Sequence, residues 1–163
     1  MIIMKKSQKG AGMIEVLVAL LLLAIAVLGF SFLQVRAVAA SHEASRNVQA
    51  MNIARDLSER IRVNRTGLLF YKSATISADC STTVCNVQQM AEYDFKSVSD
   101  KANNLGMNVA ILDCQGSSLK RKCIYVAWEG TNATNGAGSP NCTNGTAYVP
   151  NSKCLIVEVY NYV

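Results

Sequence analysis

The chain has 163 residues, which is enough for one domain with an appended helix and too few for two large domains. Its formal net charge of +5 is unevenly spread: residues 1–10 and residues 36–65 each carry +3, Glu15 subtracts one, and residues 66–163 hold seven basic and seven acidic side chains. Because the C-terminal part is neutral, the overall basicity does not point to a polyanionic partner, and nucleic acid binding is not expected.

The first elements are a short basic leader and a long apolar segment. Residues 1–10, which begin at Met1 or at Met4, hold three lysines and no acid. From Val16 to Val35, twenty residues carry no charge. A helix of that length spans about 30 Å, the thickness of the hydrocarbon core of a bilayer. By the positive-inside tendency the leader stays in the cytoplasm and the rest of the chain is exported.

The helical pattern continues beyond the apolar segment, over residues 36–65, where it becomes amphipathic. Apolar residues recur there at the spacing of one helix face: Ala50, Ile53, Ala54, Leu57 and Ile61. The first stop signal is Asn64–Gly67, in which Gly67 is expected to adopt the left-handed conformation of a helix C-terminus. The pattern therefore predicts one continuous helix from Ala11 to Val63, about 80 Å long, with a front half suited to lipid and a rear half suited to packing on a small domain.

Residues 66–163 are predicted to form a head with one further helix and three strands. The helix begins after an N-cap at Asn86 and ends at Gly106. The strands are Met107–Asp113, Lys122–Trp128 and Leu155–Val163. Three strands with one apolar face, covered by the rear half of the long helix, predict an α+β fold in which that helix packs on a small antiparallel sheet. The loop at 129–153 is long enough to be functional or pinned in place.

All six cysteines lie beyond residue 79: Cys80, Cys85, Cys114, Cys123, Cys142 and Cys154. An even number of cysteines after a membrane-spanning segment indicates disulfides in an oxidising compartment. The chain has no C-x-x-C pair and one distant histidine, so a metal site is not expected. Six cysteines allow fifteen pairings. Our hypothesis joins sequence neighbours, which gives Cys80–Cys85, Cys114–Cys123 and Cys142–Cys154.

The most informative motif runs from Lys9 to Glu15, immediately before the apolar segment. A carboxylate at the edge of an apolar helix is costly in lipid, so Glu15 needs a partner. Cleavage after Gly10 would give Ala11 a free amino group about one helical turn from Glu15. An ammonium and a carboxylate attract strongly in a low-dielectric setting, within one helix or between two neighbouring helices.

A basic leader, a terminal glycine and a glutamate five residues after the cut resemble the class III signal of type IV prepilins. The likeness covers the first 35 residues and continues to about residue 65 through "EVLVALLLLAIAVLGF", "QVRA" and "ARDLSERIRVNR". In this longer stretch the chain is similar to the PilV-like minor pilins, also called type IV pilus modification proteins. Two departures are Ala11, where many members have phenylalanine, and Phe32, near the point where major pilins often have a proline kink.

The resemblance implies a series of steps. A prepilin peptidase in the inner membrane cleaves between Gly10 and Ala11 and methylates the new amine of Ala11. Glu15 then pairs with the N-terminus of a neighbouring subunit as the helix, residues 11–35, leaves the bilayer for the filament core. The head faces the periplasm and later the cell surface. The implied partners are the peptidase, the major pilin and other minor pilins, and the implied role is to start or assemble the pilus near its tip.

Several alternatives share parts of this pattern. A minor pseudopilin of a type II secretion system has the same leader and helix. A membrane-tethered periplasmic protein that binds a ligand or catalyses a reaction, but does not polymerise, is the alternative of another class. An ordinary secretory signal with cleavage after Ala39 is less favoured, because the apolar run exceeds the usual 7–15 residues and begins with Glu15.

No constellation for catalysis is present in the sequence. There is no nucleophile–base pair, phosphate loop or carboxylate pair, and a lone His42 supports no acid–base role, so neither enzyme activity nor a cofactor is expected. The cluster Lys120–Lys122 holds three basic residues beside a strand. We interpret it as a solvated turn, because nonspecific DNA binding needs many phosphate contacts.

Overall fold

The computed structural model describes residues 12–72, 75–116 and 121–159. The chain divides into two units, residues 1–44 and residues 45–163. The helices are α1 (Met13–Val63), a 3₁₀ helix (Arg65–Phe70) and α2 (Val87–Asn104). The strands are β1 (Met107–Asp113), β2 (Lys122–Trp128), β3 (Asn132–Asn135), β4 (Asn141–Asn144), β5 (Ala147–Tyr148) and β6 (Cys154–Val159).

Helix α1 follows from a sequence that lacks helix breakers. It contains one glycine, Gly29, and no proline, and it ends at Val63 as predicted. It begins at Met13, after the non-helical Gly12, whereas the prediction began at Ala11. Ser31 does not interrupt it, because its hydroxyl donates to the Val27 carbonyl one turn earlier. Among the described residues, α1 is the one helix that is long and apolar enough to cross a membrane.

The conformation predicted for Gly67 is wrong. Gly67 lies inside the 3₁₀ helix and has no positive φ; its amide donates to the Asn64 carbonyl at 3.0 Å. A Cβ at Gly67 would instead crowd the Asn64 side chain, lying 2.6 Å from its Nδ2. That nitrogen donates to the Val87 carbonyl, which ties the end of α1 to the start of α2.

The core of the second unit contains the apolar stripe predicted on the rear part of α1. All five members of that stripe are buried: Ala50, Ile53, Ala54, Leu57 and Ile61. They share one cluster with residues of α2 and with Ile124, Val126 and Trp128 of β2. The prediction that the rear half of the long helix packs on a small antiparallel sheet is therefore confirmed.

Helix α2 begins and ends as predicted. The Asn86 side chain accepts from the Gln89 amide, and the Gln89 side chain accepts in return from the Asn86 amide, which makes a complete capping box. The helix ends before Gly106, whose φ of 69° is the left-handed conformation that favours glycine.

Strands β1, β2 and β6 form an antiparallel sheet in the order β1-β2-β6. The register runs from Met107↔Trp128 to Asp113↔Lys122 between β1 and β2, and from Lys122↔Val159 to Ala127↔Cys154 between β2 and β6. These are the three predicted strands; the last four residues of the third, 160–163, lie outside the described residues.

A second small sheet was not predicted. It lies within the loop at 129–153, where β3 pairs in parallel with β4, and β4 pairs antiparallel with β5. Its Ala133 and Cys142 are buried in a cluster with Cys123, Tyr125 and Ala127 of β2. The central strand is thus buried on both faces, whereas the alternation of its residues predicted one buried face.

The cysteines form three disulfides: Cys80–Cys85, Cys114–Cys123 and Cys142–Cys154. The first closes the polar loop before α2. The other two lie around the cluster that contains Tyr125 and Ala133. One crosses the β1–β2 turn, and the other joins β4 to β6. The loop at 129–153 is thereby pinned covalently to the sheet.

Candidate functional site

Glu15 lies in the first turn of α1, three residues after Gly12, which precedes the helix. Its Oε2 accepts a hydrogen bond from the Gly12 amide at 3.2 Å, which is one half of a capping box. The Glu15 amide donates to the Gly12 carbonyl at 2.9 Å. A carboxylate at this end of a helix also interacts favourably with the helix dipole. Local geometry thus positions the Glu15 carboxylate at the N-terminal end of the apolar segment.

Gly10 and Ala11, the predicted cleavage site and methylation site, lie outside the described residues, as does the rest of the leader. The first described residue is Gly12, the second residue after the predicted cut.

The apolar side chains of the first unit are uncovered. Every described residue from 12 to 42 is exposed. The large hydrophobic side chains between Met13 and Val38 retain from 49% to 86% of their accessible surface, on all sides of the helix. An apolar surface this extensive is not stable in water and marks contact with lipid or with other proteins.

In the second unit, a polar network connects α1 to α2. Arg60 Nε donates to Asp56 Oδ1 at 2.9 Å, and Arg60 Nη1 donates to Asp94 Oδ1 at 2.6 Å. The Tyr71 hydroxyl lies 3.2 Å from both Asp94 Oδ2 and the Arg60 carbonyl, which share its hydrogen. Burial, and then the charge of Asp94, raise the pKa of Tyr71 well above its ordinary value of 10.0, so the hydroxyl stays protonated. Lys101 completes the network by donating to Asp56 at 3.0 Å.

The comparisons with known proteins agree with the position of Glu15 at the start of a long apolar helix. A family model described as the prokaryotic N-terminal methylation motif matches residues 5–31, and one described as type IV pilin Tt1218 matches residues 32–96. Over residues 5–96 the chain resembles type IV prepilins. No significant match was found among the curated proteins or the solved structures.

The prepilin-like motif and the apolar helix indicate membrane anchoring and association with a pilus. The motif also implies processing by prepilin peptidase and assembly with other pilins. The observed architecture, a long N-terminal helix packed on a small antiparallel sheet, is that of type IV pilins.

Two residues of the basic cluster Lys120–Lys122 are neutralised. Arg121 pairs with Glu158, and Lys122 pairs with Asp113. The third, Lys120, lies outside the described residues. His42 is exposed on α1, and within the described ranges no group of three or more His, Cys, Asp or Glu residues is placed to hold a metal ion.

The Arg60–Asp94 network was not predicted, although the sequence contains a signal for it. Ala91, Phe95, Val98 and Ala102 form the buried stripe of α2, and Asp94 falls on the same face. An acid in a buried stripe requires a cationic partner, and Arg60 on the rear part of α1 provides it.

We expect acid to weaken the head through Asp56. Burial raises the pKa of its carboxyl, but hydrogen bonds and charges from Arg60 and Lys101 outweigh burial and hold the pKa below the ordinary value of 3.8. The unfolded chain therefore takes up the proton first as pH falls, so the stabilisation is present above about pH 4 and is lost below it. In detergent-solubilised protein, Asp56→Asn should lower the free energy of unfolding by about 1 kcal/mol at pH 7, and this difference should shrink progressively as pH falls below the ordinary pKa of 3.8.

Glu59→Gln is the control for this measurement, because Glu59 is a largely exposed carboxylate on the same helix that pairs only with Arg62 in the described chain. Its effect should stay below about 0.5 kcal/mol across the pH range. A loss for Asp56→Asn that does not change with pH would contradict the assignment.

Proposed function

We propose that this chain is a minor pilin that is cleaved between Gly10 and Ala11, methylated at Ala11 and used to start or assemble a type IV pilus. The observation that carries the proposal is the N-terminal methylation motif at residues 5–31, leading directly into a helix whose apolar surface is uncovered from Met13 to Val38. Lipid covers such a surface before assembly, and neighbouring helices cover it afterwards. Pilins are structural proteins, and no enzymatic step is proposed.

The position of Glu15 supports a specific role in assembly. In the precursor its carboxylate accepts a hydrogen bond from the Gly12 amide at the N-terminus of α1. Cleavage would place a charged amine at Ala11, only four residues before Glu15. A neighbour's amine brought beside this carboxylate in an apolar setting would gain a strong attraction, which would favour one register between adjacent helices. The ion pair would then offset the cost of burying each charge alone.

Two features favour a minor subunit over a major one. The sequence from Glu15 to Arg65 resembles PilV-like minor pilins, and α1 has Phe32 near the point where major pilins often have a proline. We place the subunit in the complex that primes assembly near the tip. The head would face the periplasm during assembly and the cell surface afterwards, and the three disulfides suit both compartments.

The decisive measurement is the mass of the N-terminal peptide of the mature protein. We expect it to begin at Ala11 and to carry one added methyl group when the protein is purified from cells with an active prepilin peptidase. In cells without the peptidase, the same peptide should retain residues 1–10. A mature chain that begins at Ala40 would indicate ordinary secretion and would contradict the proposal, as would a leader retained in the presence of the active peptidase.

Fractionation then separates the two filament systems. We expect the processed protein in pili sheared from the cell surface, at a low ratio to the major pilin. Recovery only with a type II secretion assembly would identify a minor pseudopilin. Recovery only as a membrane-tethered monomer would indicate a periplasmic binding protein that does not polymerise.

A further inference from the structure

Strands β1 and β6 are the two edges of the main sheet, and the β1 edge has no partner strand in the described chain. Strand β1 pairs with β2 over seven consecutive residues, and no described strand pairs with its other side. The register has no bulge, the strand has no proline, and its one charged residue is Asp113 at its end. Proteins usually protect an edge with bulges, prolines or charges in the strand, because unpaired backbone groups attract another strand.

A groove of about 400 Å³ follows this edge. One wall is formed by the five consecutive residues Asn108–Leu112, and the other by Phe95, Ser99 and Asn103 of α2. Side chains alternate between the two faces of a strand, so they cannot all point into one groove. Five consecutive residues can line the same groove only where it runs along the backbone edge of the strand. The two walls match in length: the eight steps of helix from Phe95 to Asn103 span about 12 Å, and four steps of strand span about 13 Å.

The side chains of β1 are already engaged on both faces of the sheet. Val109 and Ile111 pack against the apolar cluster shared with α1 and α2, whereas Ala110 and Leu112 pack against the cluster on the other face of the sheet, around Tyr125. A ligand in the groove would therefore meet the backbone of β1, and its side chains would meet the α2 wall. The chemistry available is that of an added β-strand.

The groove carries one charge, the exposed ammonium of Lys72. Lys96, Lys101 and Lys122 each make an ion pair, but Lys72 makes none with any described carboxylate. Lys72 follows Tyr71, whose hydroxyl contacts Asp94, so it lies towards the Phe95 end of the groove. An occupant with a carboxylate at that end would complement the site.

We propose that the groove between β1 and α2 binds an extended segment of a partner protein, which pairs with β1 as a fourth strand and places an aspartate or glutamate beside Lys72. Backbone hydrogen bonds would provide most of the affinity, and Lys72 would select for the acid. This inference concerns residues 72–112 and does not depend on leader processing, so its test can fail while the proposed function stands, and the reverse.

The test uses the full chain in detergent micelles and fluorescent peptides of alternating valine and threonine, about six residues long to span the groove. One peptide has aspartate at both ends, so that either strand direction brings an acid to Lys72; the other has lysine at both ends. We expect the acidic peptide to bind about five-fold more tightly than the basic one. It should also slow amide hydrogen exchange within residues 108–112.

Lys72→Glu should reverse the preference between the two peptides. Lys96→Glu is the matched control, because it makes the same charge change on the face of α2 that lines a different groove, and it should leave the preference unchanged. An acidic peptide with N-methylated backbone amides should not bind, since it cannot complete the strand pairing. The proposal is overturned if Lys72→Glu leaves the preference as it was, if the N-methylated peptide binds equally well, or if no amide in 108–112 is protected. Self-association through β1 in the absence of peptide would make a second copy the occupant and would also overturn it.

Discussion

Glu15→Val is expected to abolish incorporation of this subunit into filaments while leaving its insertion into the membrane intact. Valine suits the apolar segment at least as well as glutamate does, so insertion has no reason to fail. The substitution removes the carboxylate that the proposed function places beside a neighbour's N-terminal amine. The neighbour's ammonium would then be buried without a partner, at a cost of several kcal/mol. The measurement compares the protein in sheared filaments with the protein in the membrane fraction.

Two further variants separate charge from helix capping and from polarity. Glu15→Gln keeps a side-chain oxygen that can accept from the Gly12 amide but removes the charge, so it should fail as valine does. Gln34→Val removes a polar side chain from the same helix and should assemble normally. If Glu15→Gln assembled as well as the native protein, capping rather than charge would explain the requirement for Glu15.

Asp94→Asn is expected to cause the largest loss of stability in the head from a single loss of charge, roughly 1–3 kcal/mol. The Asp94 side chain is 11% exposed and joins Arg60 to Tyr71, so the isosteric amide leaves a partly buried guanidinium with a weaker partner. The expected result is a lower midpoint in denaturant unfolding of the detergent-solubilised chain, with loss of contact between α2 and the rear part of α1.

Asp100→Asn provides the matched control. It makes the same chemical change on the same helix, but Asp100 pairs with Lys96 at the surface and its side chain is 53% exposed. Its effect should stay below about 0.5 kcal/mol. Equal effects of the two substitutions would show that the Arg60–Asp94 pair contributes no more than a surface ion pair.

Much of the fold could be predicted because local patterns agreed with the tertiary structure. The capping box at Asn86, the glycine at Gly106 and the alternation in Lys122–Trp128 each act within a few residues. Helix α1 was predictable for a different reason, since 51 residues without proline leave few other conformations open to an apolar and then amphipathic sequence.

The second sheet could not be predicted because its order comes from distant contacts. Asn132–Asn135 and Asn141–Asn144 have neither apolar alternation nor strong strand propensity. They are held by a hydrogen bond that the Ala133 amide donates to Asn108 Oδ1, by burial against Tyr125 and by the Cys142–Cys154 disulfide. The same limitation applies to Gly67, where the deciding contact is with Asn64 and through it with α2.

The candidate assembly site was predicted from chemistry rather than from pattern. An acid at the start of an apolar helix is costly in lipid and therefore predicts a partner. In the structure, the Gly12 amide donates a hydrogen bond to the Glu15 carboxylate. The Arg60–Asp94 network was missed because its members lie 34 positions apart in sequence. Such a pairing becomes visible only once the faces of α1 and α2 are assigned together.

The bare apolar surface from Met13 to Val38 also limits where a fibre of such subunits can grow. A chain with this surface cannot wait in aqueous solution for a growing end to arrive, because it would aggregate first. Each subunit would have to pass from lipid directly onto the neighbouring helices, without exposing this surface to water. Under the proposed function, elongation would therefore take place at the base, within the membrane, and the first subunits to leave would be carried furthest from the cell.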